Sequence, residues 1–135
     1  MQGGCYCGAV RYEVTGQPVM KGQCHCRECQ YISGGGPNYF MTVPSDGFVI
    51  TKGAIAEFER DDIPNPRLRQ FCPKCGTHLT TVIREMGFTV VKVGTLDHPA
   101  EDYRAPAVAI YLKDAQPFHL VPEGKPTFDA LPPRR

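Results

Sequence analysis

The sequence predicts a mainly β fold built from short strands, with little helix. Three observations point that way. Thirteen prolines and fourteen glycines punctuate the 135 residues. Proline removes a backbone donor and glycine costs conformational entropy, so both work against long helices. Short runs of alternating apolar and polar residues recur between the breaks, and no stretch carries a long helical pattern.

The elements follow in order. AVRYEV at 9–14 alternates and reads as a strand, closed by GQP at 16–18. CHCREC at 24–29 leads into a short helical turn around 26–31. SGGGPN at 33–38 is a loop, because three consecutive glycines belong to no regular element. YFMTV at 39–43 and FVIT at 48–51 are strands separated by the turn PSDG. AEFER at 56–60 has a weaker strand pattern, and DDIPNP at 61–66 is a proline-broken loop. RLRQF at 67–71 runs into CPKCG. HLTTVI at 78–83 and FTVVKVGTL at 88–96 form a hairpin pair joined by REMG, and AVAIYL at 107–112 is a further strand. Tyr39, Phe40, Phe71 and Phe88 sit on strand patterns and are expected in the core. Asp97 in GTLDHP is expected to cap its own turn. No linker or repeat interrupts the chain, so residues 1–135 read as one domain. Its proline-rich tail, from about 122, is expected to lie extended on the surface or loose.

Composition limits the function. The net charge is +1 and no Lys/Arg run precedes the terminal PPRR, so no nucleic-acid partner is expected. No apolar run approaches the roughly 20 residues of a membrane helix. MQGGCYCGAV has no basic segment followed by an apolar one, so no secretory signal is read and a cytoplasmic location is expected.

The seven cysteines carry the chemistry. An odd number cannot form a complete set of intrachain disulfides, and clusters of this kind in a reducing compartment point to metal or catalysis. GGCYCGAVRYEV and RQFCPKCGTHLTTVI share a shape: two cysteines, a glycine, then a strand. A glycine there permits a positive φ, and turn N–H groups can point at the sulfurs. Pairing the two gives Cys5, Cys7, Cys72 and Cys75, the four thiolates of a closed structural zinc site. Cys24, Cys26 and Cys29 remain. Three ligands with one open position is the pattern of catalytic zinc. Two zinc ions per chain are therefore expected. His25 or His78 could instead complete the second site and close it. His25 lies between two ligands, where its side chain tends to point away from the ion.

These motifs in order, with VGTLDHP and the late DALP, resemble the glutathione-dependent formaldehyde-activating enzyme (GFA) family, which includes centromere protein V. The resemblance runs from Gly3 to about Pro132. It implies a β-tent fold, in which small sheets lean together around zinc. It implies a structural zinc on Cys5, Cys7, Cys72 and Cys75 and a catalytic zinc on Cys24, Cys26 and Cys29. It also implies carbon–sulfur lyase activity on S-(hydroxymethyl)glutathione. Members often carry a Trp in the C-terminal third, where this chain has Phe118. They often have a His where this chain has Ala109, and LDDP where it has LDHP with His98. These departures bear on the substrate more than on fold or metal.

A zinc with three thiolates can hold a fourth thiol, such as that of glutathione, deprotonated near neutral pH. Proton transfer then needs an acid/base, for which His25, His98 and Glu28 are candidates by chemistry. A zinc-bound water is the alternative acting group. Lys21, Arg27, Arg67 and Arg69 are candidates for the carboxylates of glutathione. SGGGPNYF is a candidate pocket wall. The alternatives to an enzyme are a non-enzymatic zinc-binding interaction module and a thiol or zinc sensor.

Overall fold

The structure is a computed structural model and describes residues 1–134. Two sheets make up the body. The smaller holds β1 (Gln2–Gly4), β2 (Arg11–Val14) and β5 (Phe48–Lys52), in the order β1-β2-β5. The larger holds β3 (Met20–Cys24), β4 (Asn38–Pro44), β6 (Ala56–Phe58), β7 (Leu68–Phe71), β8 (His78–Ile83), β9 (Phe88–Lys92) and β10 (Val108–Ile110). Its order is β10-β3-β4-β9-β8-β7-β6. Pairing is antiparallel throughout, except that β10 runs parallel to β3. Helix α1 (Arg27–Ser33) follows β3, and α2 (Pro99–Asp102) is a single turn. The fold is mainly β with little helix, as the sequence predicts.

Every strand read from the sequence is present, some of them shortened. β9 stops at Lys92 because Val93–Thr95 tighten into a 3₁₀ turn. The hairpin from β8 to β9 turns through Arg84–Met86 and Gly87 (φ 67°). Two strands carry no sequence signal, β1 (QGG) and β3 (MKGQC). Neither alternates, and each is a strand because neighbours supply its partners. In β3, a Cβ on Gly22 would stand 2.9 Å from the Val108 side chain and 3.0 Å from that of Phe40. The glycine leaves room for the Val108 and Phe40 side chains to meet over β3.

The main core lies between the sheets. Val10, Tyr12 and Val14 meet Met41, Val43, Leu79, Val91 and Leu96 there, with Cys5 and Cys72 at its edge. The buried Tyr12 hydroxyl is satisfied by Thr95 Oγ1 at 2.8 Å. Asp97 does not cap its own turn. Its carboxylate pairs with Arg11 (Nη1–Oδ1 2.9 Å), and its N–H donates to Gln2 O (3.0 Å), so it ties the turn to the small sheet. A second cluster gathers Cys24, Cys29, Phe40, Val108 and Ile110, with Phe128 against it. Of the four expected core aromatics only Phe40 is buried; Phe71 and Phe88 are half-buried, and Tyr39 is exposed because it faces the other side of β4. The proline-rich tail is extended and not loose. Ala109 N donates to Pro126 O (3.1 Å) and Phe128 N to Ala109 O (3.0 Å), which pins it along β10.

Candidate metal centres

The two knuckles form related turns, the second one residue longer. Gly8 N donates to Cys5 O (3.1 Å) and Gly76 N to Cys72 O (2.9 Å). Gly8 has φ 79° and Gly76 φ 77°, the left-handed conformation their sequence position anticipates. Backbone N–H groups point at the sulfurs: Val10 N to Cys5 Sγ at 3.2 Å, and Lys74 N and Cys75 N to Cys72 Sγ at 3.4 Å. The ligand atoms of Cys5, Cys7, Cys72 and Cys75 all lie within 4.8 Å of one another. Cys5 and Cys7 sulfurs are 3.6 Å apart, and Cys7 and Cys72 sulfurs 3.8 Å. A tetrahedron with metal–sulfur bonds of about 2.3 Å places its sulfurs about 3.8 Å apart, so this group fits one closed four-coordinate ion. Thr77, which no sequence signal marked, stitches the turns together. Its Oγ1 accepts from Tyr6 N (3.0 Å) and bonds Cys75 Sγ (3.1 Å), holding that thiol down at about 5.

The second group converges differently. Cys24 ends β3, Cys26 is the N-cap of α1, and Cys29 lies in its first turn. The backbone of Cys26 is extended (φ −61°, ψ 154°), and its sulfur accepts from Cys29 N at 3.3 Å. A thiol thus takes the capping role that a hydroxyl or carboxylate usually plays. The three sulfurs lie within 4.8 Å of one another, and among the described residues no histidine nitrogen or carboxylate joins them. Hydrogen bonding with Cys24, then Cys29, holds the Cys26 thiol far down, and the same contact with Cys26 pushes Cys24 up. Soft donors at this spacing can hold a metal ion with one position left to another ligand.

Neither histidine completes the group. Gln23 Nε2 donates to Leu120 O (2.8 Å) and to His25 Nε2 (2.9 Å), so Nδ1 carries the His25 proton. That proton goes to His119 Nδ1 (2.9 Å), and His119 Nε2–H donates to Gly35 O (2.8 Å). Gln30 Nε2 adds bonds to His25 O (2.8 Å) and Asp114 O (2.9 Å). Both ring nitrogens of His25 are committed inside the protein, so the ring orients the knuckle and is withdrawn as an acid/base candidate. His78 opens β8 and donates from Nε2 to Thr80 O (3.2 Å). Burial, reinforced by Lys92 and Arg69, holds it down at about 4, so it is neutral at pH 7.

A cleft of about 360 Å³ opens beside α1, lined by Glu28, Phe58, Arg67, Arg69, Phe71 and His78 among others. Arg69 pairs with Glu28 (2.5 Å) and donates to Thr81 Oγ1 (3.0 Å), and its charge also reaches Cys26. Of the predicted carboxylate binders, Arg67 and Arg69 therefore belong to the cleft. Lys21 does not; it donates to Asp102 O (2.7 Å). Arg27 is held by Gln30 Oε1 (2.5 Å) and lies over the Tyr31 ring. His98 is exposed at the start of α2, outside the cleft. The glycines of SGGGPN do not wall the cleft; Gly34 ends α1 in a left-handed conformation (φ 86°). Lys92 is a group the sequence reading missed. It is buried at the end of β9, where burial pushes its ammonium down to about 8. In sequence it is an ordinary lysine between valines.

Fold and sites together define a mainly β protein whose two cysteine groups could hold metal ions. The family described as glutathione-dependent formaldehyde-activating enzyme matches residues 1–114, and the chain belongs to that family. A Halomonas elongata protein, provisionally named a glutathione-dependent formaldehyde-activating enzyme, is 33% identical in an 85-residue alignment that covers 58% of this chain. The chain spans about half the length of that relative (54%). A crystal structure of a Rhodobacter sphaeroides protein shares the fold with a TM-score of 0.61, at 18% identity, over 95% of this chain and 99% of the other. No helix among the described residues is long and apolar enough to cross a membrane.

Proposed function

We propose that this chain is a zinc-dependent carbon–sulfur lyase acting on S-(hydroxymethyl)glutathione or a related small thiol adduct. One observation carries the reading: the cysteine groups are unequal, four sulfurs and three, and α1, which carries Cys29 of the smaller group, also lends Glu28 to a cleft lined by Arg67, Arg69 and His78. Cys5, Cys7, Cys72 and Cys75 would hold a structural zinc, and Cys24, Cys26 and Cys29 a second. Zinc on the three cysteines supplies a centre that keeps a fourth thiol deprotonated near neutral pH.

The chain's own residues supply the rest. Arg67 and Arg69, whose ion-pair partners Glu85 and Glu28 are exposed or partly exposed, can exchange those partners for the carboxylates of a glutathione-like substrate. Glu28 and His78 line the cleft and can exchange the hydroxyl proton as the carbon–sulfur bond breaks and formaldehyde leaves. His78 Nε2 is committed to Thr80, so its Nδ1 is the acceptor. Seven free cysteines suit a reducing cytoplasm.

The test is adduct exchange between formaldehyde and glutathione, followed by NMR with zinc-loaded protein. Exchange faster than in buffer supports the lyase reading; no acceleration with two zinc ions bound overturns it.

A further inference from the structure

The three-cysteine group has a buried positive neighbour. Lys92 is 7% exposed. Across the sheet it pairs with Phe40, which packs on Cys24 and Cys29. Val90, two residues earlier and so on the same face of β9, packs against the same cluster. The Lys92 side chain therefore shares the face of the sheet that carries the sulfurs, and all three thiols act on its charge.

No carboxylate among the described residues pairs with that charge, and its Nζ, at the end of a buried stem, keeps an edge open to solvent. Among the described residues the ion pairs engage Arg11, Arg60, Arg67, Arg69 and Arg84, and none engages Lys92. Arg69, the other cation near the group, is already paired with Glu28. An ammonium on a largely buried stem without a carboxylate is poorly compensated, and an anion bound at the site would offset its charge. Three thiolates with a divalent ion leave one net negative charge. A thiolate in the fourth position adds another, which a buried ammonium counters, whereas a neutral ligand gains nothing from it.

We propose that Lys92 is a specificity-determining residue of the three-cysteine site, its ammonium favouring an anionic thiolate over a neutral molecule as the fourth ligand. The inference rests on the proposed reading that this group holds a divalent ion open to a thiol.

The experiment uses the full chain loaded with Co²⁺, whose visible absorption reports the ligand set. It is titrated separately with 2-mercaptoethanol and with imidazole. In Lys92→Met, 2-mercaptoethanol binding weakens about tenfold, equivalent to ~1.4 kcal/mol, while imidazole binding stays within about twofold. Lys92→Arg, which keeps the charge, retains thiol binding. Metal-free Lys92→Met melts at or above the parent, because Met fills the space of the buried stem and removes the charge. Should Lys92→Met not fold, the neutral Lys92→Gln takes its place in the same titrations. Equal thiol binding by parent and neutral variant overturns the role of Lys92 alone, as does an equal loss of both ligands. If the parent cobalt protein binds no added thiol, the open-site reading falls and the role of Lys92 with it.

Discussion

The Nδ1 atoms of His25 and His119 lie 2.9 Å apart and join the three-cysteine knuckle to a segment 94 positions later in the chain. Because His25 Nε2 accepts from Gln23 and His119 Nε2 donates to Gly35, the proton between them belongs to His25. One relay thus connects β3, the glycine loop after α1, and the segment before the tail.

His119→Ala leaves the His25 N–H buried without its acceptor and Gly35 O without its donor. A cost of ~1–3 kcal/mol in urea unfolding is expected, with faster amide exchange around Gly34–Gly36. Unchanged stability and exchange would show that the relay is incidental.

The two cysteine groups should respond differently to loss of one sulfur. Cys72→Ser removes a fully buried ligand that also accepts two backbone N–H groups, so it should bind one zinc fewer and unfold at room temperature. Cys26→Ser keeps a side-chain cap on α1, so it should lose the second zinc and the activity while circular dichroism stays native-like. Equal unfolding of both variants would make the three-cysteine site structural.

Gly76→Ala isolates backbone strain. A Cβ there meets nothing within 4 Å, so the whole cost comes from φ 77°. The expected destabilisation of the zinc-loaded protein is ~1–2 kcal/mol, with faster zinc transfer to a chelator. A neutral substitution would mean that the knuckle does not need its left-handed turn.

His78 gives a pH signature. Its folded value, about 4, lies below its ordinary value of 6.5. Between these the unfolded chain binds more protons, so stability rises with pH across that window and falls on acidification from about 6.5 to 4. His78→Gln should flatten this part of the stability curve, measured as the difference between the two proteins so that zinc loss cancels. Parallel curves would count against a half-buried His78 held neutral.

Much of the site is legible locally. A pair of cysteines followed by glycine and a strand is a short-range device, and its turn, its positive φ and its N–H to sulfur bonds all lie within a few residues. CHCREC is similar, since a strand end and the first helical turn bring its three sulfurs together. What the sequence hides is long-range. β1 and β3 lack alternation and become strands through their neighbours. Asp97 reads as a turn residue and meets Arg11 across the sheets.

The sequence by itself determined that this is a mainly β chain of the formaldehyde-activating type with cysteines grouped four and three, because strand alternation, turn chemistry and ligand spacing are local properties. The tertiary structure decided what surrounds the three-cysteine group. It turned both nitrogens of His25 inward, placed Arg69 and His78 beside a cleft, and buried Lys92 on the face that carries the sulfurs. Those outcomes depend on which strand lies beside which, and register between distant strands is set by the packing of the whole core.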